Sequence, residues 1–153
     1  MKNREFEQGT KKHNRKAVIF DLDGTLADTH DPEANHKENH DGFRSHSRGA
    51  DAFPEMVDKV REAHKKGRDV IILTARSAHY RKDTKTWLNE HGVPYDMLVM
   101  RPIGDDRKDK VVKKSLLKED VLPHFKVKKA YDDKKKNVKM FRKEGIDAKQ
   151  VND

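Results

Sequence analysis

Asp21 and Asp23 stand one residue apart at the end of a short apolar run, Ala17-Val18-Ile19-Phe20, and are followed by Gly24 and Thr25. β-Branched residues in such a run predict a buried strand. Residues i and i+2 of a strand point to one side, so both carboxylates can face one site at its carboxyl end. Gly24 permits a sharp turn there, and Thr25 places a hydroxyl beside the acids. Buried, unpaired carboxylates are costly or take shifted pKa values. A divalent cation removes that cost.

Two further segments are apolar and then turn polar, Asp69–Arg76 ending in Thr74 and Arg76 and Tyr95–Met100 with Arg101 at its exit, and Lys128–Asp133 reads as a fourth strand that ends in Asp132 and Asp133. Acids converging from two strands make an oxygen-only site that suits Mg²⁺. Thr74, Arg76 and Lys113 add a hydroxyl and two cations, the groups a phosphoryl transfer needs as negative charge develops. The chain has no cysteine. Asp21 is then the candidate nucleophile, giving an aspartyl-phosphate, with Asp23 as general acid and base.

These side chains must be positioned by a regular frame. Helical patterns are expected from Pro54 to about Gly67, over about 78–91, over about 107–118 (Val111, Val112, Ser115 and Leu116 inward) and after Asp133 to Gly145. Asp109 and Lys113, four apart, are placed to pair. A short last strand is expected at 148–151. Strands alternating with helices imply a parallel sheet with right-handed crossovers, whose ligand site lies at the strands' carboxyl ends.

The chain has 153 residues, 33% hydrophobic and 41% charged, with a net charge of +8. Such a length suits one domain, and the basic excess favours a polyanionic partner such as nucleic acid. Residues 1–15 read as a flexible basic tail and 16–153 as one domain. Residues 27–53 form a loop insert holding His30, His36, His40 and His46, whose spacing matches no standard metal finger. Arg44 and Arg48 in that insert are placed to reach a phosphate. No apolar run approaches the roughly 20 residues that span a bilayer, and the basic N-terminus lacks a signal peptide's apolar core. A soluble, cytoplasmic protein with no membrane partner is expected.

Asp21-Leu22-Asp23-Gly24-Thr25 resembles the first motif of the haloacid dehalogenase (HAD) superfamily, with Thr74, Lys113 and Asp132-Asp133 similar to its second, third and fourth. The resemblance implies an α/β fold, a HAD-like Rossmannoid three-layer sandwich with a central parallel sheet and a minimal cap insert. It also implies Mg²⁺ held by Asp21, the backbone carbonyl of Asp23, and Asp132 or Asp133.

Gly104–Lys113, Leu122–Lys128 and Tyr131–Asp133 further resemble the phosphatase domain of bacteriophage polynucleotide kinase-phosphatase. By that resemblance Arg76, Arg101 and Asp109 surround the phosphate beside Lys113. The chain lacks a Gly-x-x-x-x-Gly-Lys-Ser/Thr phosphate loop, so no kinase activity is expected of it. The expected function is Mg²⁺-dependent removal of 3′-phosphates from DNA or RNA ends, with a separate kinase or ligase as a partner. The alternatives are a nucleotidase acting on free mononucleotides and a non-catalytic nucleic-acid-end binding module.

Overall fold

The computed structural model describes residues 4–6, 15–29 and 48–152. Six strands form the main sheet in the order β1-β6-β5-β2-β7-β8. They are β1 (Arg4–Phe6), β2 (Arg15–Phe20), β5 (Asp69–Ser77), β6 (Met97–Arg101), β7 (Phe125–Asp132) and β8 (Ala148–Gln150). β2 lies between β5 and β7, and every pairing among β2, β5, β6, β7 and β8 is parallel. Central position explains the uninterrupted apolar run of β2: Ala17, Ile19 and Phe20 are fully buried and both sheet faces are covered.

Helices α1 (Pro54–Lys65) and α2 (Arg81–Glu90) cover one face, and α3 (Asp109–Leu116) and α4 (Lys135–Lys143) the other. In α1, Pro54 starts the helix, and Met56, Val57, Val60 and Ala63 form its buried stripe. Trp87 and Leu88 do the same for α2. This is the expected α/β three-layer arrangement.

Two expectations are corrected here. The flexible tail proposed for 1–15 contains β1, which pairs antiparallel with β6 in the register Arg4↔Val99 and Phe6↔Met97. Edge strands gain much of their stability from backbone pairing, so three residues can add to a sheet without a side-chain pattern to announce them. In α3, Val111 does not face the core: it is 46% exposed, while Val112, Lys113 and Leu116 point inward. A lysine has taken an inward position that helical periodicity gave to apolar residues. The core on that side is completed by Leu117 and Val121 in a π-helical turn that extends α3.

The insert leaves and returns through a two-stranded antiparallel pair, β3 (Ala27–Asp28) and β4 (Asp51–Ala52). Its return is tied to α2. The Trp87 indole N–H donates to the Ala50 carbonyl at 2.8 Å, and Arg48 Nε lies 3.7 Å from Asp83 Oδ1. Arg48 thus lies near a helix acid while remaining exposed, whereas Arg44 and the four insert histidines lie outside the described residues.

Candidate active site

Asp21 is the first residue beyond β2, and its backbone N–H still donates to the Tyr131 carbonyl of β7 at 3.0 Å. The chain then turns tightly, the Leu22 carbonyl accepting from the N–H groups of Thr25, Leu26 and Ala27. Gly24 sits in this turn at φ +86°, and a Cβ there would collide with the Asp133 carboxylate. Glycine is required on both counts: the left-handed backbone, and the close approach of Asp133 to the β2 loop. Leu22 points into the core, leaving Asp21 and Asp23 on the cleft side.

The cleft, about 480 Å³, opens at the carboxyl ends of β2, β5, β6 and β7, where a parallel sheet is expected to hold its ligand. Asp21, Asp23, Thr74, Arg76, Arg101, Asp109, Lys113 and Asp133 all line it. It divides into two halves.

In the first half, carboxylate oxygens of Asp21, Asp132 and Asp133 lie within 4.8 Å of one another. The buried Lys113 ammonium donates to Asp21 Oδ1 and Asp132 Oδ2, both at 2.6 Å, and Thr25 Oγ1 donates to Asp21 Oδ2 at 2.9 Å. Asp132 Oδ1 accepts from the Lys134 N–H and from Asn137 Nδ2, which ties the start of α4 to the site. Burial pushes the Asp21 carboxyl well above the ordinary carboxylate range, and the Asp132 charge adds to it against Lys113. Burial raises Asp133 too, and its Oδ1 has no hydrogen-bond partner. Three acids face one buried ammonium, so the cluster is short of positive charge.

The second half centres on Asp23. Arg76 grips its carboxylate twice, Nη2 to Oδ1 at 2.6 Å and Nε to Oδ2 at 3.2 Å, and Thr29 donates to Oδ1 at 2.8 Å. Burial raises the Asp23 pKa, but Arg76 and Thr29 outweigh it and hold the group below its ordinary value. Arg76 is itself fixed by its third nitrogen, Nη1 donating to Thr84 Oγ1 at 2.9 Å. Thr74 Oγ1 accepts from the Arg76 N–H. The Asp23 carboxylate does not join the three-acid cluster.

This geometry stands in a chain whose residues 15–153 match the family model described as "Polynucleotide kinase PNKP phosphatase domain". The chain belongs to that family. It is accordingly a HAD-type phosphatase, a phosphoric monoester hydrolase. Among solved structures, a chain of the Pnkp1/Rnl/Hen1 complex is 31% identical with a TM-score of 0.79; the match covers 94% of this protein and 48% of that chain. A second structure, titled as the Pnkp1/Rnl/Hen1 RNA repair complex, matches alike, so this protein spans about half the length of those relatives. The class C acid phosphatase of Bacillus anthracis shares the fold, with 20% identity, a TM-score of 0.60, and coverage of 84% of this protein and 55% of that one. A HAD-like phosphatase from Mesorhizobium loti does so at 18% identity and 0.61, covering 94% and 75%.

One pairing expected from the sequence of this phosphatase domain differs in the fold. Asp109 does not pair with Lys113. It accepts from Arg101 Nη2 at 2.7 Å and from Lys134 Nζ at 3.1 Å, because Lys113 is turned inward to the acids. Arg101, on the cleft lining, donates to the carbonyls of Ala75, Asp105 and Arg107 as well as to Asp109. It pins the loop that follows β6 against the end of β5. Asp105 is held in turn by Arg107, which lowers its carboxyl to about 2. Thr29, Thr84 and Asn137 were not singled out from sequence. A lone threonine or asparagine between apolar residues carries no signal until its charged partner is known.

Proposed function

We propose that this protein is a Mg²⁺-dependent polynucleotide 3′-phosphatase of nucleic-acid end repair, working through an aspartyl-phosphate on Asp21. The observation that carries this is the clustering of Asp21, Asp132 and Asp133, the first two bonded to one buried lysine, in a chain of the polynucleotide kinase PNKP phosphatase domain family. All-oxygen donors, a deficit of positive charge and an unpartnered buried Asp133 oxygen together fit a hard divalent cation. Asp21, Asp132 or Asp133, and the Asp23 backbone carbonyl would hold it. Bound there, the ion supplies charge neutralisation between the carboxylates and the phosphate.

The chain's own residues account for the remaining steps. Lys113 aims Asp21 and opposes the burial that raises its pKa, with Thr25 holding its second oxygen. An Asp21 oxygen attacks phosphorus as the ester P–O bond breaks, and the leaving oxygen takes a proton from Asp23. Asp23, now a carboxylate, removes a proton from water, which attacks the aspartyl-phosphate, releases inorganic phosphate and regenerates Asp21. Arg76 links the two roles of Asp23. While Arg76 grips it, Asp23 is a carboxylate, the form that activates water. A phosphoryl group competes for the same guanidinium, and Asp23, released, binds a proton more readily. Thr74 at the β5 end serves as a hydroxyl ligand for the phosphate.

The solved relatives in an RNA repair complex support nucleic-acid ends as substrate and a separate kinase or ligase as working partner. No helix among the described residues is long and apolar enough to cross a membrane, in keeping with action in the cytoplasm. The test compares phosphate release from 3′-phosphorylated oligonucleotides, 5′-phosphorylated oligonucleotides and free nucleotides. Preference for the 3′-phosphorylated polymer is expected; preference for free nucleotides would replace this reading with a nucleotidase.

A further inference from the structure

The chain's positive charge is not spread evenly. Residues 126–150 hold nine lysines and one arginine against four acids, a net +6 of the whole chain's +8. Two of those four acids, Asp132 and Asp133, belong to the cleft. Within this stretch α4 is the extreme case: Lys134–Lys143 contains six basic residues and no acid.

Helix stability alone disfavours this arrangement. The positive end of the helix dipole lies at the first turn, where acids are favoured and cations are not. The other three helices obey that rule, with Glu55, Asp83 and Asp109 in their first turns. α4 opens instead on Lys134, Lys135 and Lys136. Lys135, Lys139 and Lys143 follow at four-residue spacing, so they lie in one stripe and repel along it. All three are exposed, whereas Val138, Met140 and Phe141 occupy the buried side. No ion pair joins the three to an acid among the described residues. A local arrangement that works against its own helix points to an anionic partner outside the fold.

The stripe also has a direction. Lys134 and Asn137, at the start of α4, line the cleft, and the Lys134 backbone is bonded to Asp132. From Lys135 the stripe leads away from the cleft for about 12 Å at the helical rise of 1.5 Å per residue. We infer that Lys135, Lys139 and Lys143 form a phosphate-contacting track for the polynucleotide whose 3′ end sits in the cleft. The track takes phosphodiester backbone without reading bases, so it sets affinity for polymer length and not for sequence. This rests on the polynucleotide reading of the cleft and adds where the rest of the strand lies.

The test uses the full chain and the triple variant Lys135→Gln/Lys139→Gln/Lys143→Gln. Phosphate release is measured from an aryl phosphate, a 3′-mononucleotide and 3′-phosphorylated single strands of increasing length, and binding of a labelled 20-mer is followed by anisotropy against salt. Wild-type kcat/KM is expected to rise with length. The variant should match wild type on the aryl phosphate and the mononucleotide and lose at least tenfold on the 20-mer. Its log Kd against log salt slope should fall by about two, the value for three lost single-strand contacts. Equal activity and an equal salt slope on the 20-mer would overturn the track. So would loss of binding to phosphatidylserine vesicles with 20-mer binding unchanged. If the variant weakens 20-mer binding but neither protein releases 3′-phosphate, the track stands and the 3′-phosphatase reading fails.

Discussion

The two halves of the cleft solve opposite electrostatic problems. Around Asp21, acids outnumber the one buried ammonium, and carboxyl groups are pushed toward their protonated form. Around Asp23, a single acid is gripped by a bidentate guanidinium and two threonines complete the shell. The first half carries more negative than positive charge. The second is already balanced, and only a competing anion unbalances it. One strand end therefore supports two aspartates of different chemistry, and what separates them is their neighbours.

Breaking the first half at the nucleophile gives the largest effect. Asp21→Asn is expected to reduce aryl phosphate hydrolysis by roughly 10³-fold or more. The same change removes one charge from the crowded cluster, so the melting temperature should hold or rise while activity disappears. A variant that keeps full turnover would disprove nucleophilic attack by Asp21.

Lys113→Met should act on the fold as much as on the reaction. It leaves Asp21 and Asp132 buried without their cation, a loss of about 3–5 kcal/mol for breaking a buried ion pair. Denaturant titration of the metal-free protein would measure this. An unchanged midpoint would mean that Lys113 is not the partner the geometry makes it.

Mg²⁺ sharpens the contrast through pH. The folded pKa values of Asp21 and Asp133 are raised, so the folded state binds their protons more tightly than the unfolded chain. Stability from these groups is present at low pH and lost as pH rises above the unfolded carboxylate value toward the folded ones. Mg²⁺ replaces those protons, and its stabilisation should grow over that rise. At a hundredfold excess over Kd the expected gain is about 2.7 kcal/mol. For a domain of this size that is about 5–10 °C in Tm. Asp23, with its lowered pKa, behaves oppositely: its contribution is present above the unfolded value and lost as pH falls through the folded one. A Mg²⁺-induced Tm shift that is the same at pH 5 and pH 8 would contradict the crowded-acid picture.

Thr84→Val tests the second half with the smallest change. It deletes the hydroxyl behind Arg76 without altering shape, for about 1 kcal/mol. A several-fold loss of kcat/KM is expected, with the acid limb of the pH–rate profile moved upward as Arg76 loosens on Asp23. An unmoved profile would make Thr84 structural only.

Much of this was legible in the sequence for physical reasons that can be named. β2, β5 and β6 read as apolar runs because they are covered on both sheet faces, whereas β7 is lysine-rich and fully buried only over its last residues; the polar residues that end these strands lie at the cleft. Lys113 was assigned to the site from its charge and from its resemblance to a family motif, not from the helix pattern. By periodicity it belonged outside, since no helix pattern indicates that an inward lysine will meet two acids from other strands. Asp109 and Arg101 were placed near the phosphate, but which of their neighbours they bond depends on loop geometry that spacing does not encode. β1 was invisible because its stability comes from a partner strand ninety residues away.

Trp87 is the only tryptophan in the chain, and it stacks on His91 while its indole N–H is committed to the Ala50 carbonyl. The chain thus carries one built-in fluorophore at the anchor where the insert returns. Its emission wavelength reports whether that anchor is dry and engaged. Oligonucleotide titrations followed at this single signal would show, without any label, whether filling the cleft is felt at the root of the 27–53 segment.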